Sequence, residues 1–570
     1  MLRVENLDVK FLNREDGSWR DAVRGVSFSI SSGRILGIVG ESGSGKSVTS
    51  FSIMRLHDPR SARIDGKIEF DEINLLELSE ERIRAYRGNR IAMIFQEPMT
   101  SLNPVFTCGE QVKEALVLHQ KLNGRKAREK TLALFREVRL PDPERVFDSF
   151  PHQLSGGQKQ RVMIAMALSC DPSLLIADEP TTALDVTVQK TILELLLRLR
   201  TERNMAIIFI SHDLAVIREI ADEVAVMYQG RIVEQNSAAL LFSAPRHPYT
   251  RGLLACRPSP DRLLKKLPVV ADFMQEARAD GLAHLQPEYY TSEETGQRRA
   301  RLYQERPLVE VRELSTWYPV KAGLFGKPAG YVKAVDRVSF EVYPGETLGL
   351  VGESGCGKTT LGRSILRLKE PTSGAVSFEG RAVLSLGKAG MRELRRDMQI
   401  IFQNPYSSLN PRLTVGSALL EPLRVHGLLA NDRERKGLVL DMLERVGLHP
   451  DHFNRYPHEF SGGQRQRIVI ARALMLKPKF MICDESVSAL DVSVQAQILN
   501  LLRSLQREFG LTYIFISHDL NVVKHISDRM IVMNQGRIEE EGFPEDIYRH
   551  PKAAYTRKLI AAIPGTGRIL

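Results

Sequence analysis

The sequence predicts an α/β fold built twice in one chain. Three observations carry this. Five motifs recur once, in the same order; short buried-looking strands alternate with helical stretches; and each copy opens with a Gly-rich turn between a strand and a helix. GESGSGKS at residues 40–47 returns as GESGCGKT at 352–359, and IFQEPMTSLNP at 94–104 as IFQNPYSSLNP at 401–411. LSGGQKQR at 154–161 returns as FSGGQRQR at 460–467, ADEPTTALDVTVQ at 177–189 as CDESVSALDVSVQ at 483–495, and ISHDL at 210–214 again at 516–520. The offset is 312 residues at the first motif and 306 or 307 at the others, so the second copy is slightly shorter after its Gly-rich loop. Two copies of one domain exclude solenoids and propellers.

The first copy runs from 1 to 255 and the second from 306 to 570. Residues 256–305 read as a linker, dense in mixed charge, with one short helix. Each copy ends in a related helical tail, RHPYTRGLLA at 246–255 and RHPKAAYTRKLIAAIP at 549–564. RILGIVG, SLLIADE and MAIIFISHD read as buried strands of a parallel sheet, as do ETLGLVG, KFMICDE and TYIFISHD. The amphipathic stretches near 108–140 and 414–447 predict a separate helical subdomain in each copy.

Composition narrows the class. Of 570 residues, 43% are apolar and 26% charged, which excludes wholesale disorder. No run approaches the ~18–20 apolar residues that span a bilayer, and the N-terminus lacks a secretory apolar stretch, so the reading is a soluble, cytoplasmic chain. The five cysteines are scattered, which argues against zinc ribbons, CxxC redox motifs and a disulfide framework. The net charge of +10 could suit nucleic acid, anionic lipid or nucleotide phosphates, or be a modest excess on a solvated surface, since no dense basic block occurs.

The chemistry concentrates in the repeated motifs. Gly40, Gly43, Gly45, Lys46 and Ser47, with Gly352, Gly355, Gly357, Lys358 and Thr359, form two P-loops. Without a Cβ, backbone N–H groups can approach phosphate oxygens; the lysines reach the β/γ-phosphates and the Ser or Thr hydroxyl ligates Mg²⁺. Ser42, Val48, Ser354 and Thr360 complete the two ATP cradles. Asp178 and Asp484 end buried strands, where a carboxylate can hold Mg²⁺ through water. The adjacent Glu179 and Glu485 can polarise the water that attacks the γ-phosphate. Ser155, Gly156, Gly157 and Gln158, and Ser461, Gly462, Gly463 and Gln464, offer a second phosphate-binding helix start. In both copies that serine lies 23 residues before the Asp, and the Glu 33 before the His. His212 and His518, at strand ends, can donate to the γ-phosphate. Gln96 and Gln403 can contact Mg²⁺ or the attacking water. Phe11 and Tyr318 are candidates to stack adenine, each with a core-packing alternative.

These motifs in this order resemble the ATP-binding cassette (ABC) ATPases over nearly the whole chain, twice. The resemblance implies two P-loop nucleotide-binding domains, each with a RecA-like parallel core, an antiparallel β subdomain and a helical signature subdomain. It assigns Walker A, Q-loop, signature, Walker B with catalytic Glu, D-loop (Asp185 and Asp491) and switch His to the positions above, with ATP and Mg²⁺ as cofactors. It implies head-to-tail pairing, Lys46 sharing a site with Ser461 and Lys358 with Ser155, and two competent sites.

The wording of the motifs and the HPYT tail further resembles the dipeptide/oligopeptide importer branch, which includes nickel, glutathione and antimicrobial-peptide systems. That implies two transmembrane permease subunits, an extracytoplasmic solute-binding protein, no nucleic-acid partner and a peripheral place on the cytoplasmic face of the bacterial inner membrane. Residues 97–105 and 404–412 would lie near the groove for permease helices. Some relatives bind an iron–sulfur cluster after a cassette; with Cys256 alone there, none is expected. The alternatives are a non-transport ABC ATPase of translation-factor or DNA-repair type, and an importer of an opine, glutathione or a nickel chelate.

Overall fold

In the computed structural model, which describes residues 1–13, 16–96, 101–181, 184–258, 263–276, 287–321, 328–488 and 490–563, each copy carries two sheets. In the first, β1 (Leu2–Leu12), β2 (Trp19–Ile30), β4 (Ala62–Phe70) and β5 (Ile73–Asn74) form an antiparallel sheet ordered β2-β1-β4-β5. The second sheet holds β3 (Ile35–Val39), β6 (Ile91–Ile94), β7 (Leu174–Asp178), β8 (Ala206–Ile210), β9 (Glu223–Tyr228) and β10 (Arg231–Ser237). Its order is β10-β9-β3-β8-β7-β6, parallel except for β10. β3, β7 and β8 are buried along their whole length, the burial expected of parallel strands covered on both faces. Val4, Val9, Val26 and Phe28 of the antiparallel sheet share one core with Ile38, Ile176 and Ile208 of the parallel sheet and with Ile53.

The second copy repeats this plan. β11 (Val309–Lys321), β12 (Pro328–Val342), β14 (Ser373–Phe378) and β15 (Arg381–Ala382) make the antiparallel sheet. β13 (Thr347–Val351), β16 (Met398–Ile401), β17 (Phe480–Asp484), β18 (Thr512–Ile516), β19 (Arg529–Asn534) and β20 (Arg537–Gly542) make the mixed sheet, ordered β16-β17-β18-β13-β19-β20.

Three principal helices build each helical region: Cys108–Gln120, Gly124–Glu137 and Gly156–Leu168 in the first copy, Val415–Val425, Asp432–Arg445 and Gly462–Leu474 in the second. All six begin with a side-chain cap, from Thr107, Asn123, Ser155, Thr414, Asn431 and Ser461. Each cap stabilises its helix by about 1 kcal/mol.

The segment between the copies holds two helices, Val270–Glu276 and Ser292–Leu302, where the sequence suggested one. The first is only seven residues long and has no charge periodicity to announce it. By contact, the described residues of 255–269 and of 287–305 cluster with the second copy, and Val270–Glu276 with the first. The Asn500 side chain accepts from the Leu267 N–H at 2.9 Å and donates to the Leu267 carbonyl at 2.8 Å, as a neighbouring strand would. Arg298 grips Asp528 through two bonds of 2.6 and 3.0 Å.

His525, on the helix Leu520–Ile526, is 4% exposed, and its Nε2 has no hydrogen-bond partner. Burial holds its pKa well below the ordinary histidine value, and the nearby Arg503 charge acts the same way. The folded chain therefore keeps this ring neutral while the unfolded chain protonates it, so its contribution is full above about pH 6.5 and is lost as pH falls. Melting temperature should drop from pH 7 to pH 5, as this group costs up to about 1.4 kcal/mol of stability per pH unit. His525→Gln should flatten that slope; an unchanged slope in a calorimetric pH series would count against the assignment.

Candidate functional site

Four adjacent parallel strands, in the order β3-β8-β7-β6, deliver the chemical groups to one edge of the first mixed sheet, at their carboxyl ends. Open α/β sheets bind ligands at that edge. The P-loop follows β3 and leads into the helix Lys46–Ile53. Gly45 has φ of 102°, and a Cβ there would lie 2.9 Å from the Ala22 carbonyl oxygen; at Gly357, φ is 112° and the distance to the Ala334 oxygen is 2.0 Å. Only glycine fits both the backbone conformation and the space. Ser42 and Gly43, and Ser354 and Gly355, are exposed at the loop apex.

Lys46 is 5% exposed and Lys358 4%. Lys46 Nζ donates to the Gly40 and Glu41 carbonyls, both at 2.8 Å; Lys358 Nζ donates to Gly352 at 2.8 Å and Glu353 at 2.9 Å. Each ammonium is thus folded over its own loop. Val48 lies in the first turn of its helix, packed against the core, and Thr360 occupies the matching position. The Ser47 hydroxyl donates to Asp178 Oδ1 at 3.1 Å, and the Thr359 hydroxyl to Asp484 Oδ1 at 2.8 Å. Burial pushes the Asp178 carboxyl up to about 6 and raises that of Asp484. Asp484 Oδ2 is buried without a hydrogen-bond partner.

Glu179 and Glu485 follow β7 and β17 in the left-handed region, each at φ of 48°. That conformation is costly for a non-glycine residue and clusters at functional sites. It is held by the Glu179 N–H on the Ile210 carbonyl and the Glu485 N–H on the Ile516 carbonyl, both at 3.0 Å. Gln96 Nε2 donates to Glu179 Oε2 at 3.0 Å, and His212 Nδ1 lies 3.2 Å from the same oxygen. In the second copy Gln403 donates to Glu485 Oε2 at 2.7 Å and His518 Nδ1 lies 3.6 Å away. Burial alone would raise the Glu485 pKa; contacts with His518, Lys358 and Gln403 outweigh it and hold the carboxylate below its usual range.

The signature residues sit elsewhere in each copy, at the start of a helix. The Ser155 side chain accepts from the Gln158 N–H at 3.3 Å, and the Ser155 N–H donates to Gln158 Oε1 at 2.9 Å, a closed capping box. Ser461 and Gln464 repeat it at 3.4 and 3.1 Å. A Cβ on Gly157 would meet Val188 at 3.1 Å and one on Gly463 would meet Val494 at 2.4 Å, so the second glycine lets the next helix close in. A Cβ on Gly156 would meet nothing within 4 Å, and on Gly462 only Leu490 at 3.8 Å, so packing does not require the first glycine. Asp185 caps its helix through the Val188 N–H at 2.9 Å, whereas Asp491 makes no side-chain cap.

Phe11 is half-buried with its ring 5.2 Å from that of His57, edge-on. Tyr318 is 37% exposed, with the Lys369 ammonium 4.6 Å above its ring. Sequence reasoning missed three contributors. Gln160 Nε2 donates to the Pro180 carbonyl at 2.6 Å, bracing the loop just after Glu179; its counterpart Gln466 is buried with neither amide atom bonded. The Glu41 N–H donates to the Tyr249 hydroxyl at 2.9 Å and the Glu353 N–H to Tyr555 at 3.0 Å. The shared Tyr-Thr-Arg string in the two tails was the available signal for the tyrosines.

A P-loop after a parallel strand, a hydroxyl–carboxylate pair and a braced glutamate define a P-loop ATPase, present twice. The family model for ABC transporters matches residues 23–182 and 335–488, and that for the oligopeptide/dipeptide transporter C-terminal region matches 233–279. The glutathione import ATP-binding protein GsiA of Pectobacterium atrosepticum is 49% identical over 575 residues, covering 99% of this chain and 89% of that protein. The protein of the same name in Escherichia coli strain K12 is also 49% identical, over 574 residues, with the same coverage. A solved dimeric ATP-binding cassette with ADP and phosphate shares 30% identity over 41% of this chain and 98% of that one, at a TM-score of 0.38. The chain belongs to the ABC transporter ATP-binding proteins, in the oligopeptide/glutathione importer branch, with two cassettes in one chain. It is an ATP-binding, ATP-hydrolysing importer subunit.

Proposed function

We propose that this subunit energises uptake of glutathione or a closely related small peptide, working with two transmembrane permeases and an extracytoplasmic binding protein at the cytoplasmic face of the bacterial inner membrane. The observation that carries the reading is 49% identity along 99% of the chain to glutathione import ATP-binding proteins. Among the described residues no helix is long and apolar enough to cross a membrane, which fits a need for separate permeases.

In each cassette the P-loop amides and the lysine take the phosphates of ATP. Ser47 with Asp178, and Thr359 with Asp484, suit Mg²⁺: their donors are hard oxygens, and the unpartnered Asp484 Oδ2 has room for a further bond. Bound there, the cation would offset phosphate charge. Glu179 and Glu485 accept the proton of the attacking water. Gln96 with His212, and Gln403 with His518, aim that carboxylate, so a shift of the Gln strand end alters the base directly. A first signature glycine that packing does not need leaves the helix starts at Ser155 and Ser461 open to phosphate. Phe11 and Tyr318 face adenine. Residues 101–105 and 404–412 receive permease helices, a role that suits the exposure of Val105 (71%) and Tyr406 (64%); residues 97–100 lie outside the described residues.

The test is purification of the Glu179→Gln, Glu485→Gln double variant from mild-detergent membranes with ATP, followed by mass spectrometry. Recovery of two multi-spanning permeases supports the reading, and glutathione binding by their extracytoplasmic receptor fixes the cargo. Ribosomal or DNA-repair proteins without a permease would overturn it.

A further inference from the structure

The tail motif Tyr-Thr-Arg, at Tyr249 and again 306 residues later at Tyr555, has no part in the nucleotide chemistry above. Yet in both cassettes its hydroxyl reaches the loop that takes phosphate. Tyr249 accepts from the Glu41 N–H at 2.9 Å and Tyr555 from the Glu353 N–H at 3.0 Å. The carbonyls of those same two residues accept from Lys46 Nζ at 2.8 Å and Lys358 Nζ at 2.9 Å. Glu41 and Glu353 are therefore held at both backbone groups, by the tail on one side and by the phosphate-seeking lysine on the other.

The tail is itself tied to the sheet. The Glu234 carboxylate accepts from the Arg246 and His247 N–H groups at 2.9 and 3.0 Å, and Glu540 from those of Lys552 and Ala553 at 2.9 and 3.1 Å. The arrangement recurs although HPYTRGLL and KAAYTRKL differ at most other positions.

We propose that Tyr249 and Tyr555 are positioning residues for ATP. They hold the leading peptide of each P-loop so that its lysine is arrayed before nucleotide arrives, and they couple the tail to ATP affinity. A site ordered in advance spends less of its binding free energy on ordering, and removing the hydroxyl leaves a partly buried N–H without that acceptor. The grip is firmer in the first cassette. Tyr249 is fully buried with its ring 4.3 Å from that of Tyr228, whereas Tyr555 is half-buried and Asn534 stands where Tyr228 does. The inference rests on residues 40–47 and 352–359 being the phosphate cradles.

The experiment uses the full chain with Glu179→Gln and Glu485→Gln, so that bound ATP persists. Tyr249→Phe, Tyr555→Phe and Lys46→Ala are added singly. Photolabelling with 8-azido-ATP is titrated, the labelled cassette is identified by mass spectrometry, and hydrogen exchange follows the peptide containing Glu41. Tyr249→Phe should raise half-saturation of the first cassette about tenfold, equivalent to roughly 1.4 kcal/mol. It should speed exchange at the Glu41 peptide and leave the second cassette unchanged. Tyr555→Phe should do the reverse with a smaller shift. Unchanged half-saturation in both variants would overturn the proposal, as would equal weakening at both cassettes in step with a fall in melting temperature. Normal labelling of the first cassette in Lys46→Ala would undo the cradle assignment, and the proposal with it.

Discussion

Replacing Glu179 and Glu485 together by Gln is expected to stop ATP turnover while leaving ATP bound. Each glutamate follows a buried strand in a strained backbone conformation and presents one oxygen to a Gln and a His at the ends of neighbouring strands. Gln has the same shape but is not a base, so with the role proposed for these residues the attacking water would lose its proton acceptor. The P-loop and its lysine are untouched, so affinity persists. A positioned general base contributes about 10²–10⁴-fold, and the double variant should lose turnover by that order. Phosphate release and equilibrium ATP binding, measured side by side, decide it. Rapid multiple turnover by the double variant would remove the role assigned to both residues.

Single Lys46→Ala and Lys358→Ala replacements should each cut turnover strongly. Either change takes away a nearly buried ammonium that bonds two loop carbonyls, and with it the positive charge proposed to meet phosphate. Losing charge-assisted bonds of this kind should weaken ATP binding by roughly 10- to 150-fold. Both cassettes keep the full set of lysine, Asp, Glu and His, so neither change should be silent. Normal steady-state hydrolysis by one of the two would mean that only one site is competent.

Much of this was legible in the sequence, and the reason is locality. A strand run, a Gly-rich turn and Lys46 are consecutive, and Ser155 with Gln158 spells a capping box. What stayed hidden depends on which strands become neighbours. The sequence aimed Gln96 and His212 at Mg²⁺, water or phosphate; the structure shows both converging on Glu179 Oε2, because β6 and β8 flank β7. The left-handed backbone at Glu179 has no residue-type signal, since glycine would announce it and glutamate does not. The bond from the Glu41 N–H to Tyr249 joins residues 208 positions apart and needs the tail to fold back.

The segment ahead of the second cassette changes what counts as half of this protein. Leu264 and Leu267 are buried, Asn500 holds Leu267 like a missing strand, and Arg298 and Arg299 are locked to Asp528 and Glu545. A fragment started at residue 306 would begin after these groups and bare the surface they cover. The packing seam therefore departs from the family match at 233–279: the stretch around Leu267 and the helix Ser292–Leu302 clothe the second half, and dividing the chain at residue 306 would flay that half rather than free it.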